Sequence, residues 1–114
     1  MKKKVFLLIS YLALCACHMH KSAEKTEKAP ACITKKIEPF SKSVCEKGVN
    51  VKEYTFQGIK VFVFDPGTCG NDMTSEVFDT GCKSLGYLGG FSGNVKINGE
   101  DFSHAVFVKT IWEK

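Results

Sequence analysis

The chain has 114 residues, 44% hydrophobic and 25% charged, with ten glycines and six cysteines; these are the proportions of one small globular domain and exclude a disordered or collagen-like chain. Its formal net charge is +4, but Lys2, Lys3 and Lys4 stand in an N-terminal leader, and from residue 31 onward ten lysines meet ten acids with no arginine. A balanced domain of this kind lacks the excess positive charge that nucleic-acid binding draws on, which excludes that class of function.

Residues 1–17 run from Met-Lys-Lys-Lys through the apolar stretch VFLLISYLAL to Cys15-Ala16-Cys17, the layout of a secretory signal. As a helix the apolar stretch spans about 15 Å, half of a ~30 Å hydrocarbon core, too short for a permanent transmembrane span. Its exit resembles a bacterial lipobox, with Leu14 at −3, Cys15 at −2, Ala16 at −1 and Cys17 as the thiol. Cleavage before Cys17 ranks above cleavage before Cys15, which would place bulky Leu14 beside the cut. That resemblance implies a signal peptide over residues 1–16 and a lipidated Cys17, whose several acyl chains form a lasting membrane anchor. Residues 18–30, HMHKSAEKTEKAP, have no apolar periodicity, so 17–30 reads as lipidated Cys plus a solvated tether reaching up to about 40 Å. In Bacteroidota lipoproteins, acidic residues directly after the lipidated Cys resemble a surface-export signal. Here His18, Met19 and His20 stand there, which favours a periplasm-facing domain. Soft copper would accept those side chains, but they have no fixed geometry.

The globular domain is read as residues 31–114. Ile33, Ile37, Phe40 and Val44 recur at helical spacing, while Pro39 disfavours helix at Glu38. The expectation is a helix over 32–38, kinked or restarted at Pro39. Strands are predicted over 51–56 and 59–64, the second apolar enough to be central. Gln57-Gly58 between them is a two-residue hairpin turn, and in that register Tyr54 faces Val61. After the loop 65–72, strands 76–79 and 83–88 are expected to pair about Thr80-Gly81. The run 105–112 is apolar on both faces and reads as a buried strand closing the sheet. The fold class is α+β, one short N-terminal helix packed on a small antiparallel β-sheet and braced by disulfides.

With Cys15 removed and Cys17 acylated, Cys32, Cys45, Cys69 and Cys82 remain, an even number for an oxidising compartment. Extending the hairpin register past its strand ends brings Cys45 beside Gly70 and Glu46 beside Cys69, so Cys45 and Cys69 become neighbours. The complementary pair is Cys32 with Cys82. A Cys32–Cys45 bridge is harder, because a mostly helical segment would hold those Cα atoms ~20 Å apart, against a limit near 7 Å.

The most unusual stretch is 86–102, with five glycines between Gly86 and Gly99. Such density suits a phosphate cradle, but the Lys-Ser/Thr ending of a P-loop is missing, and tight turns with positive φ explain it better. Asp65, Asn71, Asp72, Asp79, Asn94, Asn98, Glu100 and Asp101 supply oxygens that calcium would accept, but Asn and Asp equally favour turns by bonding their own backbone. The only imidazole of the domain, His104, follows Ser103, and neighbours on a strand point to opposite faces. No catalytic residue, metal or cofactor is therefore assigned. Most aromatics, Phe107 and Trp112 among them, are placed in the core. Tyr87 and Phe91, flanking Gly89-Gly90, are expected exposed, so Tyr87, Gly89, Gly90, Phe91, Gly93 and Asn94 form the candidate binding loop.

Taken together, the lipobox, Cys32-Ile33 opening a helix, Tyr54-x-Phe56-Gln57-Gly58-x-x-Val61, Asp65-Pro66-Gly67-x-Cys69, Val77-x-Asp79-x-x-Cys82, Leu88-Gly89-Gly90-x-x-Gly93-Asn94 and the terminal Ile111-Trp112 resemble a family of small Bacteroidota lipoproteins known only as a domain of unknown function. The resemblance implies localisation and architecture, and no site. The expectation is a monomeric, non-enzymatic module, held to the membrane of the bacterial cell envelope by its lipid anchor and binding an envelope protein or glycan. The alternative is a small disulfide-braced inhibitor of a hydrolase, presenting the 65–72 loop or the glycine loop to a foreign cleft.

Overall fold

The computed structural model of the chain describes residues 28–114. The expected signal peptide, the expected lipidation at Cys17 and the expected tether up to residue 27 lie outside the described residues. Among the described residues, one helix, α1 (Ala31–Lys42), precedes seven strands: β1 (Asn50–Phe56), β2 (Ile59–Asp65), β3 (Thr74–Phe78), β4 (Ser84–Gly89), β5 (Lys96–Ile97), β6 (Glu100–Asp101) and β7 (Val106–Glu113), with a 3₁₀ turn Phe102–His104 before the last. Five strands form an antiparallel sheet in the order β4-β3-β2-β1-β7, and β5 and β6 form a separate two-stranded ribbon. The fold is α+β, with β2 at the centre of the sheet as its apolar run predicts.

The central hairpin follows from local chemistry. Gln57 and Gly58 both take positive φ, 51° and 75°, the turn whose twist matches that of the flanking strands, and it sets Tyr54 opposite Val61 and Asn50 opposite Asp65. With that register, period-two alternation divides the side chains between two faces. On one face Val51, Phe62, Phe64 and Phe78 pack with Ile33 of α1, supported by Ile37, Phe40 and Trp112. On the other, Phe56, Val61, Val63 and Val77 pack with Ile97 of the ribbon and with Leu88 and Phe102. The ribbon turns at Asn98-Gly99, again with both φ positive. This Asn-Gly pair is a strong hairpin signal, although the elements expected from sequence do not include the ribbon.

Pro39 does not end the helix, which continues to Lys42 with Pro39 inside it. Pro39 and Lys35, whose carbonyl loses its donor, are both exposed, so solvent reaches the orphaned group. One residue later the Phe40 ring meets Phe64 edge-on at 5.1 Å and Trp112 at 6.4 Å. These aromatic contacts hold the last turn in helical geometry.

The final strand is not buried. Among the described strands β7 pairs only with β1, across two register shifts, and forms an edge of the sheet. Val106, Phe107 and Val108 are 65%, 53% and 46% exposed. Ile111 and Trp112 reach the cluster under α1, but neither the helix nor the ribbon covers the start of the strand. Phe107 therefore lies outside the core, its ring edge-on to Tyr54.

Two disulfides brace the layers. Cys32 bonds Cys82, clamping the first turn of α1 to the β3–β4 turn, and Cys45 bonds Cys69, tying the chain after α1 to the loop after β2. Glu53 is a charged side chain buried under the helix side of the sheet, with Phe62 and Lys109 as its register partners on β2 and β7.

Candidate functional site

The glycine loop is a rigid turn. β4 ends at Gly89, which bridges to Asn94, and the two residues exchange backbone bonds of 2.8 and 3.1 Å. The Gly90 N–H donates to Met73 O and the Gly93 N–H to Gly90 O, both at 3.1 Å. The Asn94 amide donates to the Tyr87 and Lys96 carbonyls, and its oxygen accepts from the Lys96 N–H. A Cβ on Gly90 would stand 2.8 Å from Thr74 Cγ2 at a φ of 77°, so glycine is favoured where the loop presses against β3. With the N–H groups of Gly89, Gly90, Gly93 and Asn94 bonded to carbonyls, these donors are not offered to a phosphate. The loop's function lies in what it presents. Phe91 at its tip is 92% exposed, and Tyr87 is 52% exposed.

On the helix side of this loop, a cleft of about 330 Å³ opens between α1 and the β3–β4 pair, lined by Lys36, Phe40, Thr74, Glu76, Phe78 and Tyr87 among others. Glu76 and Tyr87 are register partners. The Glu76 carboxylate accepts the Tyr87 hydroxyl hydrogen bond and, with its negative charge, holds the phenol above its ordinary pKa. The Lys36 ammonium lies 4.7 Å from the centre of the Phe78 ring. On the opposite side of the sheet, a broader hollow of about 660 Å³ lies between the loop and the 3₁₀ turn, lined by Tyr54, Leu88, Asn94, Phe102 and Ser103 among others. The loop thus separates two apolar depressions, one on each face of the sheet. Of the candidate residues, Tyr87 lines the first, and Gly89, Gly93 and Asn94 line the second. Lys36, Phe40 and Glu76 are not among the candidates named from sequence: the cleft joins a helix to a distant strand pair, and Glu76 faces Tyr87 only through the register shift between Val77 and Phe78.

Three of the oxygen-rich residues bond their own backbone turns. Asp65 accepts from the Gly67 N–H, Asp79 from those of Gly81 and Lys83, and Asp101 from that of Ser103. The Asp101 carboxyl is held below its usual pKa by the Ser103 N–H and hydroxyl, with His104 and Lys96 adding to the effect. Among the described residues, no three His, Cys, Asp or Glu side chains gather to hold a metal ion. Ser103 and His104 lie in the 3₁₀ turn and not on a strand, so the expected alternation does not govern them. The His104 ring instead meets Glu100 at 3.4 Å.

No curated protein and no solved structure matches the chain. The family model described as "Domain of unknown function (DUF6970)" matches residues 39–114, from the last turn of α1 through the whole sheet and the loop just described. On that match, which covers most of its length, the chain belongs to the DUF6970 family of domains of unknown function.

Proposed function

We propose that the chain is a lipid-anchored protein of the bacterial cell envelope whose domain binds an envelope protein or glycan through the 87–94 loop and performs no catalysis of its own. The reading is carried by Phe91, an almost fully exposed aromatic ring on a turn whose backbone is tied to Met73 just before β3, to β4 and to itself. An aromatic side chain held out by a rigid scaffold loses little entropy when a partner covers it, and contributes large apolar area. The lipobox and tether add a domain free to search near a membrane surface.

Crosslinking pulldown from intact cells tests this, comparing the full-length chain with Cys17→Ala and with Phe91→Ala. The expected result is one envelope protein or glycan enriched with the wild type, lost without the anchor and reduced about tenfold or more by Phe91→Ala. Undiminished enrichment with Phe91→Ala removes the loop from the function.

The hydrolase-inhibitor reading draws support from the 65–72 loop, which the Cys45–Cys69 bond, the Asp65–Gly67 hydrogen bond and the Cys45 N–H donating to Pro66 O hold rigid. Inhibition across a panel of periplasmic hydrolases separates it from the first.

A further inference from the structure

The cleft between α1 and the β3–β4 pair brings together aromatic rings, one carboxylate and one ammonium. Phe64 stands edge-on to both Phe40 and Phe78, with ring centres 5.1 Å apart in each pair. Tyr87 adds a fourth ring at the outer wall, where Glu76 is its register partner. Aromatic faces attract cations through the ring quadrupole, at distances up to about 6 Å from the centroid. The Lys36 ammonium, 4.7 Å from the Phe78 centroid, already makes such a contact. Phe78 belongs to the core and is only 6% exposed, but it lines the cleft, and the side of its ring under Lys36 is the one an incoming cation would take once Lys36 swings away. The Lys36 side chain is flexible and lies on a partly exposed helix face, so this motion needs no change in the backbone.

We propose that this cleft is a binding site for a lysine side chain presented by a partner protein, with Lys36 as its built-in competitor. The incoming ammonium takes the place over Phe78, its aliphatic stem lies along Phe40 and Pro39, and the Glu76 carboxylate balances its charge. Lys36, displaced, turns to solvent, where its charge is well hydrated. The inference deepens the binding-module reading by naming what a protein partner must present, but its test needs neither the anchor nor Phe91, so either can fail alone.

The full-length chain in detergent is titrated with Nα-acetyl-lysine amide, with the uncharged Nα-acetyl-norleucine amide, and with choline. Calorimetry is read beside the emission of Trp112, the single tryptophan, which touches Phe40. The lysine amide is expected to bind in the millimolar range and about fivefold or more tighter than the norleucine amide. Glu76→Gln should weaken it about fivefold, and Lys36→Met should tighten it about threefold or more. Opposite signs for two surface substitutions are not the signature of lost folding. Equal binding of the lysine and norleucine amides, no binding even to Lys36→Met, or weaker binding by Lys36→Met overturns the proposal. Tighter binding of choline than of the lysine amide also overturns it, in favour of a quaternary headgroup.

Discussion

Cys32 in the first turn of α1 and Cys82 in the β3–β4 turn are bonded across 50 residues of chain, with Cα atoms 6.1 Å apart. The start of α1 has no side-chain cap and no acidic residue in its first turn, and a helix of 12 residues is marginal in water on its own. The bond supplies the attachment that capping does not.

Closing a loop of this length is worth about 4 kcal/mol in the chain-entropy account, and the shorter Cys45–Cys69 loop about 3.5 kcal/mol. Replacing Cys32 and Cys82 together by serine should cost about 2–4 kcal/mol and accelerate amide exchange in α1 well before β1 and β2. Replacing Cys45 and Cys69 should cost a similar amount while leaving α1 protected. Uniform loosening of both elements by either pair would contradict this division of labour.

Gly67 and Gly58 share a left-handed backbone but not an environment. A Cβ at Gly67, φ 94°, would lie 2.4 Å from Lys47 O and 2.9 Å from Cys45 Cβ, whereas at Gly58, φ 75°, nothing lies within 4 Å. Gly67→Ala should therefore destabilise by about 2–4 kcal/mol, and Gly58→Ala by about 1 kcal/mol. Denaturant midpoints compare them directly, and equal losses would show that the neighbours of Gly67 yield freely.

The Tyr87 phenol should titrate above an ordinary tyrosine because its neutral form is bonded to Glu76 and its phenolate would face that carboxylate. A pKa raised by folding stabilises the fold below the ordinary phenol value of about 10, and this contribution is lost as pH rises through the raised value. Ultraviolet difference titration against Tyr87→Phe isolates this ring. Glu76→Gln should bring it back toward the ordinary value, and an unchanged titration would remove Glu76 as the cause.

Among the described residues nothing covers the apolar start of β7 at the sheet edge, which favours association in concentrated or partly unfolded samples. Val106→Lys and Val108→Lys should leave stability within about 0.5 kcal/mol and raise the concentration at which light scattering appears. A large loss of stability would mean that these side chains are packed.

Much of the fold is legible in the sequence because its signals are local. Gln57-Gly58 determines the turn, the turn determines the register, and the register alone brings Cys45 near Cys69. The helical stripe of Ile33, Ile37 and Phe40 likewise gives α1 its buried side. Within the candidate loop, glycines spaced for positive φ mark a turn, and the positions of Tyr87 and Phe91 beside Gly89-Gly90 mark them as exposed.

What stays hidden depends on neighbours distant in the chain. The 105–112 run has the composition of a buried strand, yet its exposure depends on which strands flank it, and only the order β4-β3-β2-β1-β7 leaves it at an edge. Pro39 carries a local penalty against helix that Phe64 and Trp112 outweigh by packing on Phe40. The cleft holding Lys36, Phe78, Glu76 and Tyr87 joins a helix to a strand pair dozens of residues away, and no spacing in the sequence announces that meeting. The Gln57-Gly58 turn, the register of the β1–β2 hairpin and the apolar side of α1 are legible in the chain, because they arise between residues a few positions apart. Which apolar sides end up covered is settled by packing, because burial is a property of the whole arrangement.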